Sequence, residues 1–175
     1  MKLEELIIAG IRRATTEVFS TMLGVELGDP AVSIEAGEPE ANDGVVSLIG
    51  LAGPWVGTGS VTCPPEVACR VCSQMLMTEA TAVDEEVLDA VAELTNMIIG
   101  GVKNGLEPDL GALCLSIPTV VFGRNFRTKS AGMAEWIVVR FPWDSDKLVV
   151  KMCLTQAAKM HTALHPPSHT CTLEV

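Results

Sequence analysis

The spacing of apolar and polar positions divides this chain into helix-period and strand-period stretches. Leu3, Leu6, Ile7, Ile11, Val18 and Met22 recur at near-helical intervals and Gly24 follows as a stop, so residues 3–23 are expected to form a helix. Residues 32–35 alternate and predict a short strand, and the Gly, Pro and Asn-Asp-Gly cluster over 37–44 predicts a turn. Residues 45–51 and 57–63 predict a hairpin around Gly53-Pro54. Pro64-Pro65-Glu66 opens a second helix running to about residue 78, because Pro suits a first turn and Glu the positive end of the dipole. A third helix is expected over 84–105, with Asp84, Glu85 and Glu86 at its start and Lys103 near its end. Strands are expected at 112–122, 135–141 and 147–154. Each half of the chain opens with a long helix and continues into strands, a pseudo-repeat in element order. The predicted class is α+β, with long helices packed on an antiparallel sheet. A length of 175 residues suits one domain, here 1–155, with 156–175 as a C-terminal extension.

Charge narrows the function. Twelve Lys plus Arg stand against 22 Asp plus Glu, a net charge of −10. Nucleic acids and anionic membrane surfaces both select clustered cations, so neither is an expected partner. Three Trp, four Phe and no Tyr also leave little for base stacking. Glu4 and Glu5 occupy the place of a basic leader and Arg12 and Arg13 cut the apolar run, so no export signal is expected and the chain is placed in the cytoplasm. Residues 45–65 carry no charge, but Gly50, Gly53, Gly57, Gly59, Pro54, Pro64 and Pro65 suit two strands and a turn, not a membrane helix. Six Cys are scattered, Cys69 and Cys72 at CxxC spacing inside a helical pattern, and are expected to be reduced thiols. His161, His165, His169 and Cys171 fall in the tail, where Pro166 and Pro167 break any helix. No metal site is expected from either group.

The third helix carries the chemistry. At 100° per residue, Val87, Leu88, Val91, Leu94, Thr95, Ile98 and Val102 gather on one side as a core stripe. Asp89, Glu93, Asn96 and Gly100 follow on nearly the opposite side. Asn is a poor mid-helix residue, and Gly100 and Gly101 each cost about 1 kcal/mol against Ala. A helix that accepts these on or beside one exposed face is keeping it open for a close partner, and Met97 nearby is a soft contact residue. Asn holds a water in line with an electrophile, while Glu hydrogen-bonds that water or pairs with a partner Lys. Phosphoryl transfer needs mostly positioning and charge neutralisation, so an orienting amide suffices. Residues 71–102 contain no Lys or Arg, so the neutralising cations must arrive with the substrate, which is then a protein.

The run Asp89-Ala90-Val91-Ala92-Glu93-Leu94-Thr95-Asn96-Met97-Ile98-Ile99-Gly100 resembles the D/S-xxx-E-xx-N signature, with its trailing MI-G, of the CheX family of bacterial chemotaxis phosphatases. CheC and the flagellar switch phosphatases are relatives. Thr21-Met22-Leu23-Gly24-Val25 is similar to the ending of that family's first helix, and Leu115-Ser116-Ile117-Pro118-Thr119-Val120-Val121 with Gly123 resembles its S-x-P-x-V-x-x-G strand. The resemblance covers about residues 5–155 and implies a CheC-like fold that dephosphorylates the response regulator CheY. It implies that Glu93 contacts the regulator's Lys and that Asn96 orients the attacking water; Asp89, Met97 and Gly100, on or beside the same face of the helix, are expected to bind the partner. It also implies that Mg²⁺ belongs to the regulator, with no cofactor of the chain's own, and that two copies pair as a homodimer. Three-strand units leave sheet edges to be covered, so that pairing is expected partly through edges. CheC carries two signature helices, whereas setting Gly24 against Gly105 here puts Arg12 and Thr15 where Glu93 and Asn96 stand. Gly101 and Thr95 depart from the family, which usually has a small polar residue and Ala there. Two other readings stay open: a non-catalytic module of the same fold that binds a regulator or sensor, and a metal or thiol enzyme using Asp89 and Glu93, Cys69 and Cys72, or the tail histidines.

Overall fold

A computed structural model of the chain describes residues 2–36, 42–128 and 135–158. Helix α1 (Leu3–Val18) runs into a π-turn (Phe19–Leu23), followed by β1 (Ala31–Ala36), β2 (Asn42–Ala52) and β3 (Trp55–Cys63). Helices α2 (Pro65–Leu76) and α3 (Glu85–Leu110) follow, then β4 (Cys114–Leu115), β5 (Thr119–Phe126), β6 (Glu135–Trp143) and β7 (Asp146–Gln156). All strand pairs are antiparallel, in the order β1-β6-β7-β3-β2, with β4 and β5 both on the outer side of β2. The class is α+β. The pseudo-repeat is present in the sheet itself: β1 pairs with β6 and β5 pairs with β2, so each half lends a strand to the other. The halves meet where β3 pairs with β7.

Alternation along the strands builds one core. Val45, Ile49 and Leu51 of β2, Val61 of β3, Val139 and Phe141 of β6 and Val150 and Met152 of β7 share a buried cluster with Ile7 and Ile11 of α1, Val67 of α2 and Leu94 and Ile98 of α3. Arg70 ties α2 to the β6–β7 turn, with hydrogen-bonded ion pairs of 2.9 Å to Asp144 and 2.8 Å to Asp146. Its guanidinium also lies 4.4 Å from the Trp143 ring centroid, and Trp143 meets Phe19 edge-on. Arg70 thus gives the CxxC stretch a packing role.

The elements differ in detail from those the sequence predicts. The first helix ends at Gly24 in the left-handed conformation (φ 64), as expected, but its last turn is π, since the Ser20 and Thr21 hydroxyls both donate to the Glu17 carbonyl. Of the turn expected over 37–44, residues 42–44 belong to β2, which begins at Asn42, and residues 37–41 lie outside the described residues. Helix α3 passes Gly105 and Pro108 and stops at Gly111, whose N–H donates to the Glu107 carbonyl at 2.9 Å. Leu106 is buried and anchors that added turn. The strand expected over 112–122 is two strands, interrupted at Ser116–Pro118.

Close approach at two glycines seats α3. A Cβ on Gly101 would lie 2.9 Å from the Ala14 Cβ of α1, and one on Gly59 of β3 would lie 2.8 Å from Ile99 Cδ1. Gly101 therefore faces α1, a correction to its reading as part of an open face. Gly100 is the open one: its nearest neighbour for a Cβ is Leu115 Cδ1 at 3.9 Å. The two neighbouring glycines should respond oppositely to Ala. Gly100→Ala gains about 0.5–1 kcal/mol of helix preference. Gly101→Ala loses about 1 kcal/mol net, since overpacking costs about 1–3 kcal/mol. Urea midpoints measure both, and equal stabilisation of the two variants would contradict this packing.

Candidate functional site

Helix α3 starts firmly, with the Asp84 carboxylate accepting the Val87 N–H at 3.0 Å and Glu85 and Glu86 in the first turn. Val87, Ala90, Val91, Leu94, Thr95, Ile98, Ile99 and Val102 are buried, which fixes the rotation of the helix. Asp89, Glu93 and Asn96 are exposed, Gly100 is half-exposed, and Met97 is half-buried against the core. Glu93 and Asn96 are three residues apart on one face, and neither side chain makes a hydrogen bond or ion pair among the described residues. They are free to meet another molecule.

The neighbourhood holds the face in place. Thr95, buried, donates its hydroxyl to the Val91 carbonyl at 2.7 Å and needs no outside partner. At the far end Glu107 accepts the Leu113 N–H at 3.0 Å and pairs with Lys103 at 3.0 Å. Those two contacts, the backbone one first, hold the Glu107 carboxyl below its ordinary value. The turn from α3 into β4 is thereby tied to the helix. Sequence reasoning missed Ser116, which joins this edge to β2: its N–H donates to the Gly50 carbonyl at 2.9 Å, and its hydroxyl accepts the Gly50 N–H at 2.9 Å. The signal for it was Pro118, which lacks an N–H and interrupts any strand it enters.

The thiols form no comparable centre. Cys63, Cys69, Cys72 and Cys153 are buried and Cys114 is exposed. Burial pushes Cys63 up to about 12 and Cys153 up to about 11. Burial, then the Asp84 charge, raises Cys69 as well; for Cys72 the Glu86 charge comes next after burial. These four groups are neutral thiols at pH 7. Among the described residues no three His, Cys, Asp or Glu side chains are grouped to hold a metal ion. The tail residues His161, His165, His169 and Cys171 lie outside the described residues. No described helix is long and apolar enough to cross a membrane.

The family model described as chemotaxis phosphatase CheX matches residues 45–142, more than half of the chain. This chain belongs to the CheX family. It is 32% identical over 120 residues to the CheY-P phosphatase CheX of Thermotoga maritima, covering 67% of this chain and 76% of that protein. A CheC-like superfamily protein from Shewanella sp. PV-4 has a similar structure, with TM-score 0.75 and 28% identity over 89% of this chain and 99% of that one. So does the chain in a CheX–CheY–BeF3–Mg²⁺ complex from Borrelia burgdorferi, with TM-score 0.69 and 25% identity over 86% of this chain and 98% of that one.

Among the described residues this CheX-family chain has its exposed Glu-Asn pair on α3 and no second copy on α1. Arg12 is exposed, its guanidinium 3.5 Å from the Pro30 carbonyl it donates to, and Thr15 is wholly buried. The two departures from the family pattern also have structural reasons here. Thr95 satisfies its own hydroxyl on the helix, and Gly101 admits α1.

Proposed function

We propose that the chain is a protein-aspartyl-phosphate phosphatase acting on a phosphorylated CheY-like response regulator, in chemotaxis or another two-component pathway of the cytoplasm. The observation that carries this reading is the exposed, unengaged Glu93–Asn96 pair on a helix whose rotation is fixed by packing. Asn96 orients a water in line with the phosphorus of the phosphoaspartate. Attack forms the new P–O bond, the bond from phosphorus to the aspartyl oxygen breaks, and the carboxylate leaves as inorganic phosphate is released. Glu93 pairs with the regulator's active-site Lys and sets the angle of approach. Asp89 and Met97 flank the contact, and Gly100 lets the regulator's backbone come close.

Cations for the transferred group come with the substrate. The stretch 71–102 contains no Lys or Arg, and the Borrelia complex pairs a CheX with CheY, BeF3 and Mg²⁺. We assign Mg²⁺ to the regulator on the same pattern, with no cofactor of this chain's own. The domain that acts is residues 1–155 with the end of β7, and the remaining tail is an extension to it. Two copies form the working unit, joined partly through a sheet edge. Both β1 and β5 have one neighbour only among the described strands.

Two measurements test this. In single-turnover dephosphorylation of a phosphorylated receiver domain, Asn96→Ala slows the chemical step about 100-fold, and Glu93→Ala lowers kcat/KM by about tenfold or more. If both variants hydrolyse at the wild-type rate, the site assignment fails; if the wild type binds the phosphorylated receiver without shortening its lifetime, the chain is a binding module. Light scattering at micromolar concentration reads twice the 18.6 kDa of one chain, and a monomer mass contradicts the dimer.

A further inference from the structure

We infer that Ile117 is the apolar anchor by which this chain docks its regulator, an inference that rests on the phosphatase reading above. Ile117 is 85% exposed, the most exposed large aliphatic side chain among the described residues after Met77. It projects from the interruption between β4 and β5, where an ordinary strand would turn every second side chain inward. The interruption is rigid. Ser116 holds Gly50 by two hydrogen bonds of 2.9 Å and donates its hydroxyl to the Ile117 carbonyl at 2.9 Å, while Pro118 locks the backbone on the other side. An exposed apolar side chain on a fixed backbone loses little freedom when a partner covers it.

Its position joins it to the site. Leu115, two residues before it, reaches α3 beside Gly100. Gly100 lies one helical turn, about 6 Å, from Asn96. Ile117, two residues on, lies at most about 7 Å from Leu115 by the reach of the chain. The apolar knob and the Glu93–Asn96 pair therefore fall within one footprint, since a standard interface covers about 800 Å² per partner, a patch about 28 Å across. The surface has two unlike parts: an acidic strip, Asp89 and Glu93, and an apolar knob beside its C-terminal end. The partner that fits both carries a cation at the strip and an apolar hollow next to it. A receiver domain with its active-site Lys set over Glu93 supplies the first, and the hollow beside it is the new element. The acidic strip gives orientation and encounter rate, and the knob holds the complex together.

The test separates this inference from the reading it rests on. The full chain and its Ile117→Asp, Ile117→Ala and Ile117→Val variants are titrated calorimetrically with a BeF3-activated CheY-like receiver from the same genome and assayed for dephosphorylation of the phosphorylated form. Ile117→Ala raises Kd and KM about tenfold, Ile117→Asp raises them further, Ile117→Val restores most of the affinity, and kcat stays within about twofold. Alkylation of the exposed Cys114 slows when the activated receiver is bound, measured with Cys171 replaced by Ser. Circular dichroism and light scattering on each variant show an unchanged fold and mass. Unchanged Kd and KM in Ile117→Asp overturn the inference and leave the phosphatase reading standing, provided Asn96→Ala still slows turnover about 100-fold. A change of oligomeric mass in Ile117→Asp overturns it too and assigns the knob to contact between copies. A wild-type chain that binds no activated receiver overturns both readings.

Discussion

The contact that the rest depends on is the approach of α1 to α3 over the sheet. Gly101 brings the α3 backbone against Ala14, and Gly59 makes room beneath Ile99. With α1 on one flank and β3 below, helix α3 has a single rotation available. That rotation buries Leu94, Ile98 and Val102 and leaves Asp89, Glu93 and Asn96 outside. Positioning a water to within a fraction of an ångström requires such a fixed platform, and a rigid helix supplies it better than a loop. The site therefore has no need of buried charge or a deep pocket. Its precision is borrowed from packing on the opposite side of the same helix.

The exchange of strands between halves creates two related places for such a platform, and the residues on the two helices decide that only one is used. β1 pairs with β6 and β5 pairs with β2, so α1 and α3 occupy related places in a two-fold arrangement. Only α3 presents the pair. On α1 the related positions hold Arg12, turned toward Pro30, and Thr15, buried in the core. A helix with Thr15 facing inward cannot present a water-orienting amide there. The second place has become part of the scaffold.

Much of this was legible in the residues. Periods of two and of three to four separate strands from helices, and the helical wheel alone sets Glu93 and Asn96 on an outward face. What local pattern could not reveal was what lies beside an element. Gly101 sits at the border of the exposed face on the wheel, and only the position of α1 shows that it faces inward. Gly105 reads as the end of the helix, yet buried Leu106 and the Lys103–Glu107 pair carry α3 on to Leu110. The strand at 112–122 broke at Pro118, and Ser116 replaced the missing ladder bonds with its own hydroxyl and N–H. Resemblance of three short segments supplied the family, and the fold brings two of them together: Leu115 of the S-x-P segment lies against the signature helix beside Gly100.

The most direct test of that surface is to watch it in solution. In ¹⁵N-labelled protein, the side-chain amide of Asn96, identified by its disappearance in Asn96→Ala, and the α3 backbone signals from Asp89 to Gly100 are followed while a BeF3- and Mg²⁺-loaded CheY-like receiver is added. The account predicts that these signals shift first and most, together with Ser116 and Ile117, and that the receiver without BeF3 moves them much less. Shifts confined to β1 or α2, with the Asn96 amide unmoved at saturation, would contradict it.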